Sequence, residues 1–71
     1  MRTDFINEKG EKSEIETVDT EKGVRAVQTI NGKFEQSEIL NVMSEIEFHT
    51  TIREGLKSVG IELLETSTDV K

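Results

Sequence analysis

Glu45 and His49, four residues apart, are the side chains of this chain best placed to act together chemically. On a helix, residues at this spacing are neighbours on one face, and Asn41 and Arg53 extend the same line. A carboxylate beside an imidazole could begin a metal site, but such a site needs roughly three or four ligands. The chain has one histidine and no cysteine. We therefore expect no metal and no cofactor, but a pair within a helix in which Glu45 raises the pKa of His49.

Enzymatic activity is not expected from the remaining polar residues. Nucleophilic catalysis needs a nucleophile, a base and a group that orients the base, and no nucleophile motif flanks the histidine. The five glycines are isolated rather than grouped in a phosphate-binding loop. Paired carboxylates, as in glycoside hydrolysis, need a cleft that holds them at a fixed separation. A chain of 71 residues rarely encloses such a cleft.

The apolar content limits the core that this chain can build. Hydrophobic residues make up 32% of the sequence, and its aromatic residues are three phenylalanines. A core of this size rarely supplies more than about 3–5 kcal/mol, so small domains usually add disulfides, a metal or a partner chain. Because cysteine is absent, we expect homo-oligomerisation to stabilise the fold.

Three glycine turns divide the first half of the chain into strands. They lie at residues 8–10, 21–23 and 31–32, and the last is Asn-Gly, a pair that tight hairpin turns favour. We predict strands near residues 3–8, 13–20 and 24–30 in an antiparallel meander. The third is the best supported, because Val24, Ala26 and Ile30 share one face.

After residue 32 the apolar period changes from two to about 3.6, which predicts a helix over residues 35–59. Ser37 is the expected N-cap and Gly60 the C-cap glycine. The apolar stripe of this helix changes face along its length. One side carries Ile39, Val42, Met43 and Ile46, and the other carries Phe48, Ile52, Leu56 and Val59.

Two structures would explain this change of face. Thr51 and Glu54 have the capping-box spacing, so the helix could break near His49 and fold both halves onto one core. A continuous helix would instead pack its second face against another copy of the chain. We predict on this basis an oligomer interface formed by Phe48, Ile52, Leu56 and Val59.

The predicted fold is therefore α+β, with a small antiparallel meander of about three strands followed by one long or broken helix. A short C-terminal strand over residues 61–65 is an option. Residues 1–65 form a single small domain in this prediction, and residues 66–71 form a flexible C-terminal tail. No apolar run is long enough for a signal peptide or a membrane span, so we expect no membrane contact and a cytoplasmic location.

The net charge of −6 is unevenly distributed. No lysine or arginine lies between Lys33 and Arg53, whereas Glu38, Glu45 and Glu47 do, and we predict that these three form an acidic partner-binding face. Such a field favours basic partners and repels nucleic-acid phosphates. We expect a small acidic, non-enzymatic binding or regulatory protein that occupies a protein partner, for example as an inhibitor of a nucleic-acid-binding or host enzyme.

Two alternatives stay open. An oligomer could bind a small anion or nucleotide at its subunit interface, through the guanidinium group of Arg25 or Arg53. A DNA-binding regulator of the ribbon–helix–helix kind is the other, because the strand over residues 24–30 precedes two possible helices. The acidic balance and the single cation of that strand, Arg25, count against direct nucleic-acid binding.

Overall fold

The described part of the chain folds into one antiparallel sheet followed by one helix. The computed structural model describes residues 1–41 and 44–69. Its elements are β1 (Arg2–Ile6), β2 (Lys12–Thr20), β3 (Gly23–Ile30), β4 (Lys33–Leu40) and α1 (Glu45–Ser58). The strand order β1-β2-β3-β4 is a meander, in which each strand pairs with its neighbours in sequence. The predicted α+β class is confirmed.

The fourth strand corrects the prediction of three strands and of a helix that begins near residue 35. Asn31 and Gly32 adopt φ angles of 52° and 78°, which a two-residue hairpin turn requires. This turn folds the chain back onto β3, so residues 33–40 pair with β3 instead of forming helix. Ser37, the predicted N-cap, therefore lies within β4.

The two faces of the sheet differ, and we call the face toward α1 the inner face and the opposite one the outer face. Opposed residues share a face. Val24 and Ala26 are buried on the inner face and are paired with Leu40 and Glu38. The intervening residue, Arg25, and its partner Ile39 therefore lie on the outer face.

A β-bulge interrupts the β3–β4 ladder near the turn. Gln28 pairs with Gln36, but the next residue, Thr29, pairs with Phe34, so Glu35 is left without a partner in the register. The extra residue places Phe34 on the outer face, with Thr29. Phe34 and Ile39 therefore share the outer face of β4.

The core is small and partly polar. Its buried apolar residues are Phe5, Val24 and Ala26. Thr3, Asp4, Ser13, Thr17 and His49 are also buried. Among the described residues, every buried side-chain nitrogen or oxygen has a hydrogen-bond partner, so this polar core carries no unpaired group.

Helix α1 is continuous through His49, so of the two structures left open by the sequence the unbroken one is observed. It begins after the N-cap Ser44, whose side chain accepts a hydrogen bond from the Glu47 backbone N–H at 3.1 Å. The helix continues through Thr50 and Thr51 to residue 58. The apolar stripe changes face because its first members belong to different elements: Ile39 lies in β4 and Ile46 in α1. Val42 and Met43 lie outside the described residues.

The predicted C-cap glycine is confirmed. Gly60 has a φ of 82° directly after the C-cap residue Val59. The Gly60 N–H donates to the Lys57 carbonyl at 3.1 Å, and the Ile61 N–H donates to the Leu56 carbonyl at 2.9 Å. This pair of bonds is the Schellman motif, which satisfies carbonyls at the end of a helix.

The segment after the helix runs along β1 and closes that edge of the sheet. Leu63 bridges Phe5, and Thr68 bridges Arg2, in isolated bridges rather than a continuous strand over residues 61–65. The Leu64 N–H donates to the Asp4 carbonyl at 2.8 Å, and the Thr68 N–H donates to the Arg2 carbonyl at 3.0 Å. These contacts tie residues as far as 68 to the sheet, where the sequence predicts a flexible tail from residue 66.

Candidate functional site

The inner side of α1 is set by its 3.6-residue period. Residues at intervals of three and four are partly or fully buried, and they are Glu45, Phe48, His49, Ile52, Arg53 and Leu56. The predicted line of Glu45, His49 and Arg53 therefore exists and points toward the sheet. Asn41, the fourth member of that line, is exposed and precedes the helix.

His49 is fully buried and is bonded at both ring nitrogens. Nδ1 lies 2.7 Å from the Thr3 hydroxyl oxygen, and Nε2 lies 2.8 Å from that of Thr17. Thr3 lies in β1 and Thr17 in β2, on the inner face. The imidazole therefore joins the two strands beneath the helix.

The partners of the two threonines determine where the protons lie. The Arg53 Nε–H donates to Thr3 Oγ1 at 2.9 Å, and a guanidinium group can only donate. The Thr17 hydroxyl lies 2.7 Å from Glu45 Oε1, an acceptor. A neutral His49 protonated at Nε2 satisfies every group: the Thr3 hydroxyl donates to Nδ1, and the Nε2–H donates to Thr17 Oγ1. The bonds then run in one direction from Arg53 to Glu45, an arrangement in which each bond polarises the next.

The neutral form of His49 agrees with its environment. Burial lowers its pKa to about 4, and the Arg53 cation adds to this effect. Glu45 acts in the opposite direction but is outweighed. Glu45 thus contributes in the expected direction, but the net pKa of His49 is lowered rather than raised, because burial and the Arg53 cation outweigh that contribution.

The Glu45 carboxylate is also engaged within the chain. Its Oε1 accepts from the Met1 α-ammonium group at 3.1 Å as well as from Thr17. Burial works to raise the pKa of the Glu45 carboxyl, but these two donors outweigh it and hold that pKa below its ordinary value. Asp4 is similar, since burial is outweighed by the Arg2 guanidinium and the pKa of Asp4 is lowered.

Arg53 completes the network at its other end. Besides Thr3, it donates to the Arg2 carbonyl at 2.8 Å and forms an ion pair with Asp69. Arg25 lies on the outer face and is exposed, so the fold does not bring the two arginines together. Arg25 lines an open surface depression with Thr20, Lys22 and Ile39. Their role in binding an anion stays a prediction.

The three predicted acidic residues do not share a helical face. Glu38 lies in β4, paired with Ala26. Glu45 is bonded internally, whereas Glu47 is exposed in the first turn of α1. A single acidic face built from all three is therefore not present, although Glu38 and Glu47 remain accessible.

The predicted oligomer interface is also divided by the helix geometry. Phe48, Ile52 and Leu56 lie on the inner side of α1 and are partly buried within one chain. Val59, at the C-cap, is 65% exposed. Contact of these residues with a second copy stays a prediction.

The ribbon–helix–helix arrangement predicted as an alternative is not the observed fold. The strand over residues 24–30 is β3, which is paired on both sides, with β2 and β4. It therefore has no free edge with which to form a two-stranded ribbon with a second copy. The described residues also contain one helix after it rather than two.

The most exposed part of the fold is β4, which sequence analysis assigned to a helix. Seven of its eight residues are exposed, from Lys33 to Ile39. On the outer face, Val18, Arg25 and Ile39 are opposed across β2, β3 and β4. Phe34 is 67% exposed, Val18 is 51% exposed and Ile39 is 41% exposed. We call Val18, Arg25, Phe34 and Ile39 the outer-face cluster. Unlike the polar network of His49, which is buried on the inner face, these side chains are accessible to solvent.

Comparisons with known proteins identify no relative: no family model, no curated protein and no solved structure matches this chain. Across residues 1–41 and 44–69, α1 is too short and too polar to cross a bilayer. Over the same residues, no three acidic or histidine side chains converge as metal ligands would.

Proposed function

We propose that this chain is a small, acidic, non-enzymatic protein that acts by occupying a protein partner, and that it binds this partner through the outer-face cluster and β4. The observation that carries the proposal is the exposure of β4 together with Phe34 and Ile39. A chain with so few apolar residues keeps two of them on an accessible strand, although burying them would stabilise the fold.

The composition of the outer-face cluster supports a protein partner. Interface centres are enriched in aromatic residues and arginine. Here Arg25 lies between Val18 and Ile39 on neighbouring strands, and Phe34 lies further along β4. Among the described residues, the Arg25 guanidinium makes one long hydrogen bond, to the Ser37 hydroxyl at 3.4 Å, and the Arg25 side chain is exposed to a partner.

The buried network supports a structural rather than a catalytic role for His49. Its two ring nitrogens are both bonded within the chain, and the residue has no exposed surface. A general base must lie within hydrogen-bond reach of the proton that it removes. A substrate could approach His49 only after α1 had moved away from the sheet.

Homo-oligomerisation remains part of the proposal. Two exposed apolar residues of the helical region, Ile46 and Val59, are 57% and 65% exposed. They lie at opposite ends of α1, and each offers an apolar contact to a second copy away from the outer-face cluster. Sedimentation equilibrium with interference optics, which do not require tryptophan or tyrosine, measures the oligomeric state at micromolar concentration. A monomer under these conditions would contradict this part of the proposal.

Capture of partners from native lysate tests the binding function with matched variants. Phe34→Ser removes the most exposed residue of the outer-face cluster, and Val59→Ser removes an equally exposed residue proposed to contact a second copy, so the pair separates partner capture from self-association. Since both side chains are exposed, each variant should keep its stability within about 0.5 kcal/mol. We expect Phe34→Ser to lose the captured protein and Val59→Ser to retain it. Equal capture by both variants, or no specific capture by the parent chain, would overturn the proposed function.

A further inference from the structure

One edge of the sheet is covered by other described residues of the chain, and the other edge is not. The edge of the sheet formed by β1 is covered by the segment after α1, through the bridges of Thr68 with Arg2 and of Leu63 with Phe5. The edge formed by β4 carries no further strand among the described residues. An open edge presents a row of backbone N–H and C=O groups that can pair with another strand. The chain therefore closes one edge with its own residues and leaves an eight-residue strand open at the other.

We propose that β4 accepts an extended segment of the partner protein as a fifth strand, and that this segment alternates cationic with apolar side chains. The inference rests on the proposed protein-binding function and identifies the form that the partner presents. In strand addition, backbone hydrogen bonds provide affinity and alternate side chains provide specificity.

The two faces of β4 require this alternation in the added strand. On the inner face, β4 presents Lys33 before the bulge and Gln36, Glu38 and Leu40 after it, and of these four only Leu40 is partly buried. On the outer face it presents Phe34, Ser37 and Ile39. Since successive side chains of a strand point to opposite faces, a segment alternating lysine or arginine with apolar residues meets Glu38 on one face and the apolar side chains on the other.

Charge favours a basic segment over a second copy of β4. Within β4 there are two glutamates and one lysine, so a second β4 is itself acidic. The second chain would also bring another net charge of −6. A cationic segment instead gains attraction both at Glu38 and from the field of the whole chain, which raises its rate of association.

A synthetic probe tests this inference. An eight-residue peptide of alternating valine and lysine, acetylated and amidated at its ends, matches β4 in length. We expect it to slow hydrogen exchange of β4 amides, measured by NMR, while a valine–glutamate peptide does not. Glu38→Lys should raise the dissociation constant of the valine–lysine peptide about tenfold. Glu47→Lys, the same charge change on α1, should raise it by less than about twofold.

The outcomes separate this inference from the proposed function. Equal weakening by Glu38→Lys and Glu47→Lys, or binding without protection of β4 amides, would overturn strand addition, because the peptide would then respond to charge alone. Protection of β4 that grows with protein concentration in the absence of peptide would also overturn it, in favour of a second copy.

If Phe34→Ser abolishes partner capture while the peptide leaves β4 unprotected, the binding function stands and strand addition fails. If the peptide protects β4 in a Glu38-dependent way, strand addition is supported even where lysate capture is unaffected by Phe34→Ser.

Discussion

His49 and Thr3, forty-six residues apart in the chain, are joined by a 2.7 Å contact between the imidazole Nδ1 and the threonine hydroxyl. This contact, with that of Nε2 to Thr17, fastens α1 to the first two strands. A buried polar group stabilises a fold when all its hydrogen bonds are made, and it is costly when one is missing.

The two threonine partners of His49 determine its tautomer. Because the Thr3 hydroxyl donates to Nδ1 and Thr17 Oγ1 accepts, the proton of the neutral ring lies on Nε2. Long-range ¹⁵N–¹H correlation spectra at neutral pH distinguish the two tautomers. We expect a single Nε2-protonated form. A proton on Nδ1 would mean that the bonds do not run from Arg53 to Glu45.

Stability should depend on pH through the same residue. The pKa of His49 is about 4 in the folded chain and 6.5 ordinarily, so the unfolded state binds a proton first as the pH falls. The contribution is fully present above about pH 6.5 and is lost as the pH falls toward 4. The free energy of unfolding should fall by about 2 kcal/mol between roughly pH 6.5 and 4.5.

Denaturant titrations across this pH range measure that slope. His49→Gln has no titrating ring, so its stability should be nearly flat over the same window, although lower throughout. At lower pH, Asp4 and Glu45 become protonated. Because folding lowers the pKa values of both carboxyls, their protonation further reduces the free energy of unfolding. An equal slope in both proteins would show that His49 is not the group responsible.

Removal of one hydroxyl should be costly in the network and harmless outside it. Thr17→Val keeps the shape of the side chain but leaves the His49 Nε2–H without its acceptor and removes one of the two donors to Glu45. We expect a loss of about 2–3 kcal/mol in the free energy of unfolding. Thr51→Val, on the exposed side of α1, is the matched control and should change stability by less than about 0.5 kcal/mol.

Two glycines should respond to alanine in opposite directions. Gly23 has a φ of 132°, and a Cβ there would lie 2.6 Å from the Leu40 carbonyl oxygen, so Gly23→Ala should destabilise the protein by about 2 kcal/mol or more. Gly55 lies in α1 with open space around it, and Gly55→Ala should stabilise by about 0.5–1 kcal/mol. Thermal unfolding followed by circular dichroism compares them. A harmless Gly23→Ala would contradict the close approach of β4 to β3.

The start of the helix can be tested with two serines. Ser44 caps α1, so Ser44→Ala should cost about 1 kcal/mol in the free energy of unfolding. Ser37→Ala should cost much less, because Ser37 lies in β4 and, within residues 1–41 and 44–69, its hydroxyl makes only the long contact with Arg25. The reverse order in denaturant titrations would favour the helix that the sequence pattern predicts over residues 35–59.

The sequence predicts those elements whose signals are local. The first three strands, the Asn31-Gly32 turn and the Gly60 cap each depend on a few neighbouring residues. β4 escapes this reasoning because Ile39 continues into a helical period with Val42, Met43 and Ile46, whereas pairing with β3 decides the structure of residues 33–40. The site escapes it for the same reason: Thr3 and Thr17 belong to separate strands, and their shared inner face is the one signal that could have suggested a polar partner for His49.

The bulge at Glu35 has a consequence for comparing this hairpin with others. Because the extra residue is accommodated where it occurs, a chain that lacks it would still pair Gln36 with Gln28 and Phe34 with Thr29. Two proteins could thus differ by one residue in this hairpin and still place the neighbours of the bulge on the same faces of the sheet. A one-residue gap in an alignment at this position would then leave the strand pairing on either side intact.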